Sequence, residues 1–76
     1  MELQRWEYLF VGKDGPPAYK ARYVNGEELR DWKRGPSFPA FVNELGDQGW
    51  ELLGSDFATA GQYVFKRPTT RLPQLL

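Results

Sequence analysis

The chain has no cysteine and no histidine. Those two absences exclude disulfide stapling, thiolate or imidazole metal sites, cysteine nucleophiles and every catalytic triad built on a histidine base. Charge of either sign in excess is also missing, since 10 Lys and Arg stand against 10 Asp and Glu. A balanced charge argues against non-specific binding to nucleic acid or to a membrane surface, which draws on a surplus of cations. No apolar run approaches the roughly 20 residues that a membrane-spanning helix needs. The first residues, Met1 to Arg5, lead into a strand-like pattern without the apolar stretch of a signal peptide. Together with the missing cysteine this gives the expectation of a cytoplasmic protein with no membrane contact.

What the chain does have is rings: three Trp, four Tyr and five Phe in 76 residues. A chain this short forms one small domain, in which apolar burial and the entropy of ordering nearly cancel. Without disulfide or metal, most rings are therefore expected in the core, or a partner chain must add buried area.

Apolar residues alternate from Leu3 to Val11, with Trp6, Tyr8 and Phe10 on one side and Arg5, Glu7, Leu9 and Val11 on the other. This is the period of a half-buried strand. Gly12 to Pro17 holds two glycines and two prolines and is expected to break it. A second alternation runs from Ala18 to Val24, with Tyr19, Ala21 and Tyr23 facing one way. Asn25-Gly26 supplies the positive φ angles of a type I′ turn, so a short return strand through Glu27 to Arg30 follows, ending near Trp32. Ser37 reads as a helix N-cap and Pro39 fits the first turn. Phe38, Phe41, Val42 and Leu45 then form an amphipathic stripe, with Gly49 as a left-handed terminator. Gly46, inside the last turn, is expected to lie close to something bulky, with Trp50 as the candidate. Trp50 to Leu53 and Gln62 to Lys66 read as the last two strands, separated by a turn within Gly54 to Gly61.

The order β-β-β-α-β-β gives an α+β domain, a single antiparallel sheet of four to five strands with one helix packed on one face. Residues 1–68 form the domain; residues 69–76 form a tail, disordered or docked on the sheet or a partner. If Trp6, Tyr8, Phe10, Tyr19, Tyr23, Trp50, Leu52, Tyr63 and Phe65 share a face, they make a floor for the helix. The other face then mixes Arg5, Glu7, Lys20, Arg22, Glu51 and Lys66 with Leu9, Val11, Val24, Leu53 and Val64.

Four blocks in order carry a resemblance: Trp6-Glu7-Tyr8, Asn25-Gly26-Glu27-Glu28-Leu29, Leu45-Gly46-Asp47-Gln48-Gly49-Trp50-Glu51-Leu52 and Phe65-Lys66-Arg67-Pro68. The combination, spanning Trp6 to Pro68, resembles a family of small bacterial proteins known only as a domain of unknown function, number 4177 in that series. The resemblance implies a compact bacterial or phage domain and brings no activity, ligand or catalytic residue with it.

No catalytic, cofactor or metal residue suggests itself. Glu27-Glu28 falls in a turn, Glu44 on the polar side of the helix, and Glu7 with Glu51 on the mixed face among Lys20, Arg22 and Lys66, where cross-strand ion pairing is the ordinary outcome. Gly12-x-x-Gly15 leads into prolines and not into the Lys and helix of a phosphate loop. Trp32-Lys33-Arg34 reads either as a ring on the sheet edge with two solvated cations behind it, or as a partner-binding hot spot. The expectation is a non-enzymatic interaction domain that self-associates, as a homodimer or with another protein. Its candidate face comprises Leu9, Val11, Arg22, Val24, Trp32, Leu53 and Val64. The alternative is a small-ligand or single-stranded nucleic-acid binder using sheet aromatics with Arg22 or Arg67; nucleic acid is the less favoured, because alternation sets rings and cations on opposite faces of each strand.

Overall fold

A computed structural model describes residues 3–16, 19–55 and 61–69. Strands β1 (Arg5–Lys13), β2 (Ala21–Val24) and β3 (Glu27–Glu28) precede a 3-10 turn at Trp32–Arg34 and helix α1 (Phe38–Asp47); β4 (Glu51–Ser55) and β5 (Gln62–Thr69) follow. The strands form one antiparallel five-stranded sheet in the order β3-β2-β1-β5-β4, with α1 as its single α-helix. The α+β class and the element order are those expected.

Local chemistry accounts for most boundaries. Ser37 caps α1, its hydroxyl accepting from the Ala40 amide, and Pro39 sits in the first turn, where no amide proton is required. At the other end Gly49 takes φ 92°, the Trp50 amide donates to the Leu45 carbonyl and the Gly49 amide donates to the Gly46 carbonyl. That pair of bonds is a Schellman motif, and it turns the chain straight into β4. Asn25 (φ 51°) and Gly26 (φ 85°) make the hairpin turn, and the Asn25 side chain accepts from the Phe10 amide, tying the turn to β1.

Some boundaries differ from expectation. Gly12 does not end β1; it pairs with Tyr23 on one side and Gln62 on the other, and the strand runs on to Lys13. A glycine keeps both backbone hydrogen-bonding groups, so the missing side chain does not interrupt a ladder held from both edges. Strand β2 begins later than expected, after Tyr19 at φ 46°, and β3 ends early, before Asp31 at φ 55°. Gly46 is not closely packed: a Cβ there would meet nothing within 4 Å. Gly46→Ala is therefore expected to stabilise the fold by about 0.5–1 kcal/mol, through the helix alone; a lowered thermal midpoint would contradict that geometry. Thr69, expected as the start of the tail, is the last residue of β5 and pairs with Arg5, while residues 70–76 lie outside the described residues, as does the tip of the β4–β5 turn.

The largest correction concerns the faces. The β1–β5 register pairs Glu7 with Arg67, Leu9 with Phe65 and Val11 with Tyr63 on one face, and Trp6 with Pro68, Tyr8 with Lys66, Phe10 with Val64 and Gly12 with Gln62 on the other. Helix α1 covers the first. Val11, Ala21, Leu45 and Phe65 are buried, with Leu9, Leu29, Phe38, Phe41, Val42, Trp50 and Tyr63 packed around them. Of the nine residues expected as the floor, Trp50, Tyr63 and Phe65 pack there. Trp6, Tyr8, Phe10, Tyr19, Tyr23 and Leu52 remain exposed. Antiparallel register groups residues by position and not by kind, and it joins the aliphatic side of β1 to the aromatic side of β5. A register shift between Gly12 and Lys13 then buries Ala21 while Tyr23, two residues on, stays exposed.

Candidate interaction face

The sheet face away from α1 is built on β1, the central strand, whose even-numbered side chains point there. Trp6, Tyr8 and Phe10 stand two residues apart along it, and Tyr23 lies beside Gly12 on the neighbouring strand. Their relative exposures are 41%, 52%, 39% and 37%, so every ring is rooted in the sheet and open to solvent. Val64 and Pro68 continue the apolar surface on β5. Contiguous exposed rings of this kind are costly to hydrate, and in folded proteins such patches mark contact surfaces. Lys66 Nζ lies 4.3 Å from the centre of the Trp6 ring, a cation–π contact. Glu51 is the cross-strand neighbour of Lys66, and Glu28, opposite Tyr23, holds Arg22, so charges on this face occur in opposite-sign pairs.

At the Gly12 end the surface is hollow. A cleft of about 210 Å³ is lined by Phe10, Gly12, Tyr23, Gly26 and Gln62 among others. It exists because Gly12 has no side chain: a Cβ there would sit 3.3 Å from the Tyr23 ring.

The residues expected to form an interaction face are divided by the structure. Val11 is fully buried and Leu9 packs against the core under α1, so neither offers a surface. Val24 pairs with Val11 and is half-buried on the same side. Val64 lies with the open rings, opposite Phe10, and Arg22 reaches the Tyr23 ring at their edge. Leu53 is exposed at the irregularity in β4, away from the β1 rings. Arg22 and Trp32 come together: the guanidinium lies 4.4 Å from the Trp32 ring centre and 5.2 Å from that of Tyr23. It donates to Glu28 at 2.9 Å and to Asp14 at 3.3 Å, and the Glu28 hydrogen bond holds its pKa above the ordinary arginine value. Arg22 is thus committed to its own chain.

On the helix side, Arg67 has a comparable structural role. It donates to Glu7, whose side chain is largely buried, and to the Gln48 carbonyl at the end of α1, and it stacks on Trp50 with 4.3 Å to the ring centre. Removing it would take the guanidinium from the Glu7 carboxylate and a donor from the last helical turn together. Arg67→Ala is expected to cost about 2 kcal/mol in urea denaturation, and Arg67→Lys to recover only part, because an ammonium cannot serve all three neighbours. An unchanged midpoint for Arg67→Ala would contradict this.

The register also separates Glu7 from Glu51. Glu7 lies with Arg67 under the helix side, Glu51 with Lys66 on the open side. The two carboxylates considered as neighbours on one face stand on opposite faces and cannot share a substrate.

Sequence reasoning missed Trp6, Tyr8, Phe10 and Tyr23 as surface residues. The signal lay in β1 itself, where Leu9 and Val11 give the second side an apolar stretch of its own, opposite the rings. One helix covers one face, so an apolar face had to remain. No family model, curated protein or solved structure matches the chain. Among the described residues, no helix is long and apolar enough to cross a membrane.

Proposed function

We propose that this protein is a non-enzymatic interaction domain that self-associates through its uncovered sheet face. The observation carrying the proposal is the contiguous row Trp6, Tyr8, Phe10 with Tyr23 beside it, held open to solvent on the rigid centre of the sheet. Aromatic residues anchored in this way are the commonest energetic anchors of protein interfaces. The non-enzymatic part rests on the carboxylates: Glu7 is tied to Arg67, and Asp14 and Glu28 to Arg22. A place in the bacterial family of unknown function belongs to the same proposal and adds no chemistry to it.

Single-stranded nucleic acid is the second reading, favoured by the exposed rings, since bases stack on such platforms. Against it, Arg22 and Arg67 are engaged by carboxylates of their own chain and Lys66 is neighboured by Glu51. Phosphates would find few cations there. Light scattering over a concentration series, alongside fluorescence anisotropy with labelled single-stranded DNA and RNA in low salt, separates the two. The expected result is a rising mean mass and no anisotropy change at micromolar protein. A constant monomer mass with a salt-sensitive anisotropy rise would replace the first reading by the second.

A further inference from the structure

The relief of the open face is uneven in a way that fits it to a copy of itself. At one end of β1 stands Trp6, the largest side chain; at the other, Gly12 has none, and the cleft bounded by Phe10, Tyr23, Gly26 and Gln62 opens there. A cleft of about 210 Å³ is several times the roughly 30 Å³ that one water occupies in the liquid, room enough for an aromatic side chain. A projecting ring and a hollow lie on the same strand, facing the same way.

Resting on the reading that this face is the interface, we propose that its occupant is a second copy of the chain, stacked face to face with the β1 strands antiparallel. The twofold axis lies in the plane between the sheets and crosses β1 near Leu9. In that arrangement Trp6 of each copy enters the Gly12 cleft of the other, and Tyr8 of each lies over Phe10 of the other. Lys66 of each copy falls opposite Val64, so no like charges meet, and Pro68 falls opposite Gln62. The alternative twofold, along the strand, stacks Trp6 on Trp6 and leaves both hollows empty.

The size of the face sets the strength of the contact. The five strands contain 9, 4, 2, 5 and 8 residues, and at about 3.3 Å by 4.8 Å per residue the face measures roughly 440 Å². Two copies therefore bury at most roughly 900 Å², the range of weak, transient interfaces. An association of modest affinity follows, in which the two ring-in-cleft contacts matter most.

The absence of cysteine makes the arrangement directly readable. Single variants Pro68→Cys and Gln62→Cys are prepared, mixed in equal amounts and treated with a short bis-maleimide, because sheets stacked about 10 Å apart exceed the reach of a disulfide. Antiparallel stacking sets positions 62 and 68 of opposite copies about 10 Å apart, and like positions about 20 Å apart. The expected result is a 62–68 product exceeding either like-with-like product by at least about tenfold, the reach of the reagent falling between those spacings. Like-with-like products dominating, or no cross-link while scattering reports a dimer, would overturn the stacking and leave the interaction reading in place. A monomer mass for both variants and for the unmodified chain, with no cross-link, would overturn both.

Discussion

Phe65→Ala is expected to destabilise the fold by about 3–5 kcal/mol, a large part of what a domain of this size possesses. Phe65 is 1% exposed in the middle of β5, where it pairs with Leu9 and lies among the side chains of α1. The space left by its ring is bounded by a sheet and a helix already packed on Val11, Ala21 and Leu45, so little collapse can fill it. Urea denaturation followed by far-ultraviolet circular dichroism measures the loss. A change below about 1 kcal/mol, the range typical of exposed positions, would mean that the helix covers the other face.

The second large effect falls on association and leaves folding nearly untouched. In the double variant Trp6→Ser with Tyr8→Ser, two anchoring rings leave the open face, each of hot-spot type, so self-association is expected to weaken at least about 100-fold. The same variant should keep its urea midpoint close to that of the unmodified monomer, since both rings are about half exposed and such sites contribute little to packing. Sedimentation velocity gives the first quantity and denaturation the second. Loss of fold in this variant, with association unchanged in whatever remains folded, would place the rings in the core and the interface elsewhere. The contrast between Phe65 and Tyr8 is informative because both are aromatic strand residues, and only the register tells them apart.

That contrast also marks how far the sequence could be read. Helix α1 was legible almost residue by residue, because its signals are local: Ser37, Pro39, the stripe from Phe38 to Leu45 and the turn at Gly49. The Asn25-Gly26 hairpin was legible for the same reason. Strand alternation was legible too, but alternation is symmetric between faces, and only pairing with another strand breaks the symmetry. Pairing depends on the β1–β5 register between the two ends of the described chain and on the shift at Gly12 and Lys13, neither of which a local pattern encodes. Grouping the rings together gave the wrong floor: on β1 the side expected to mix charges with aliphatics is the one the helix covers, and the ringed side stays open. Tyr19 and Asp31, which shorten β2 and β3 by taking left-handed backbone angles, carry no signal of the kind a glycine provides.

Little of the proposed interaction face was consequently legible. Val64 belongs to it, whereas Leu9 and Val11 belong to the core and Arg22 is engaged with Glu28, Asp14 and the Trp32 ring. The cleft at Gly12 could not be read at all. It arises from a glycine inside a strand beside a tyrosine on the next, and Gly12 read along the chain looks like the end of a strand.

On the proposed function, the ringed face of the sheet is the surface by which copies of this chain meet. Solvent paramagnetic relaxation of the side-chain signals, recorded with a soluble gadolinium chelate at low and at high protein concentration, tests it most directly. Trp6, Tyr8, Phe10 and Tyr23 are expected to be strongly relaxed in the dilute sample and to lose most of that relaxation in the concentrated one, while Tyr19 and Leu3, exposed outside that row, stay unchanged. Equal relaxation of the four rings at both concentrations, with a mass that stays monomeric, would contradict it.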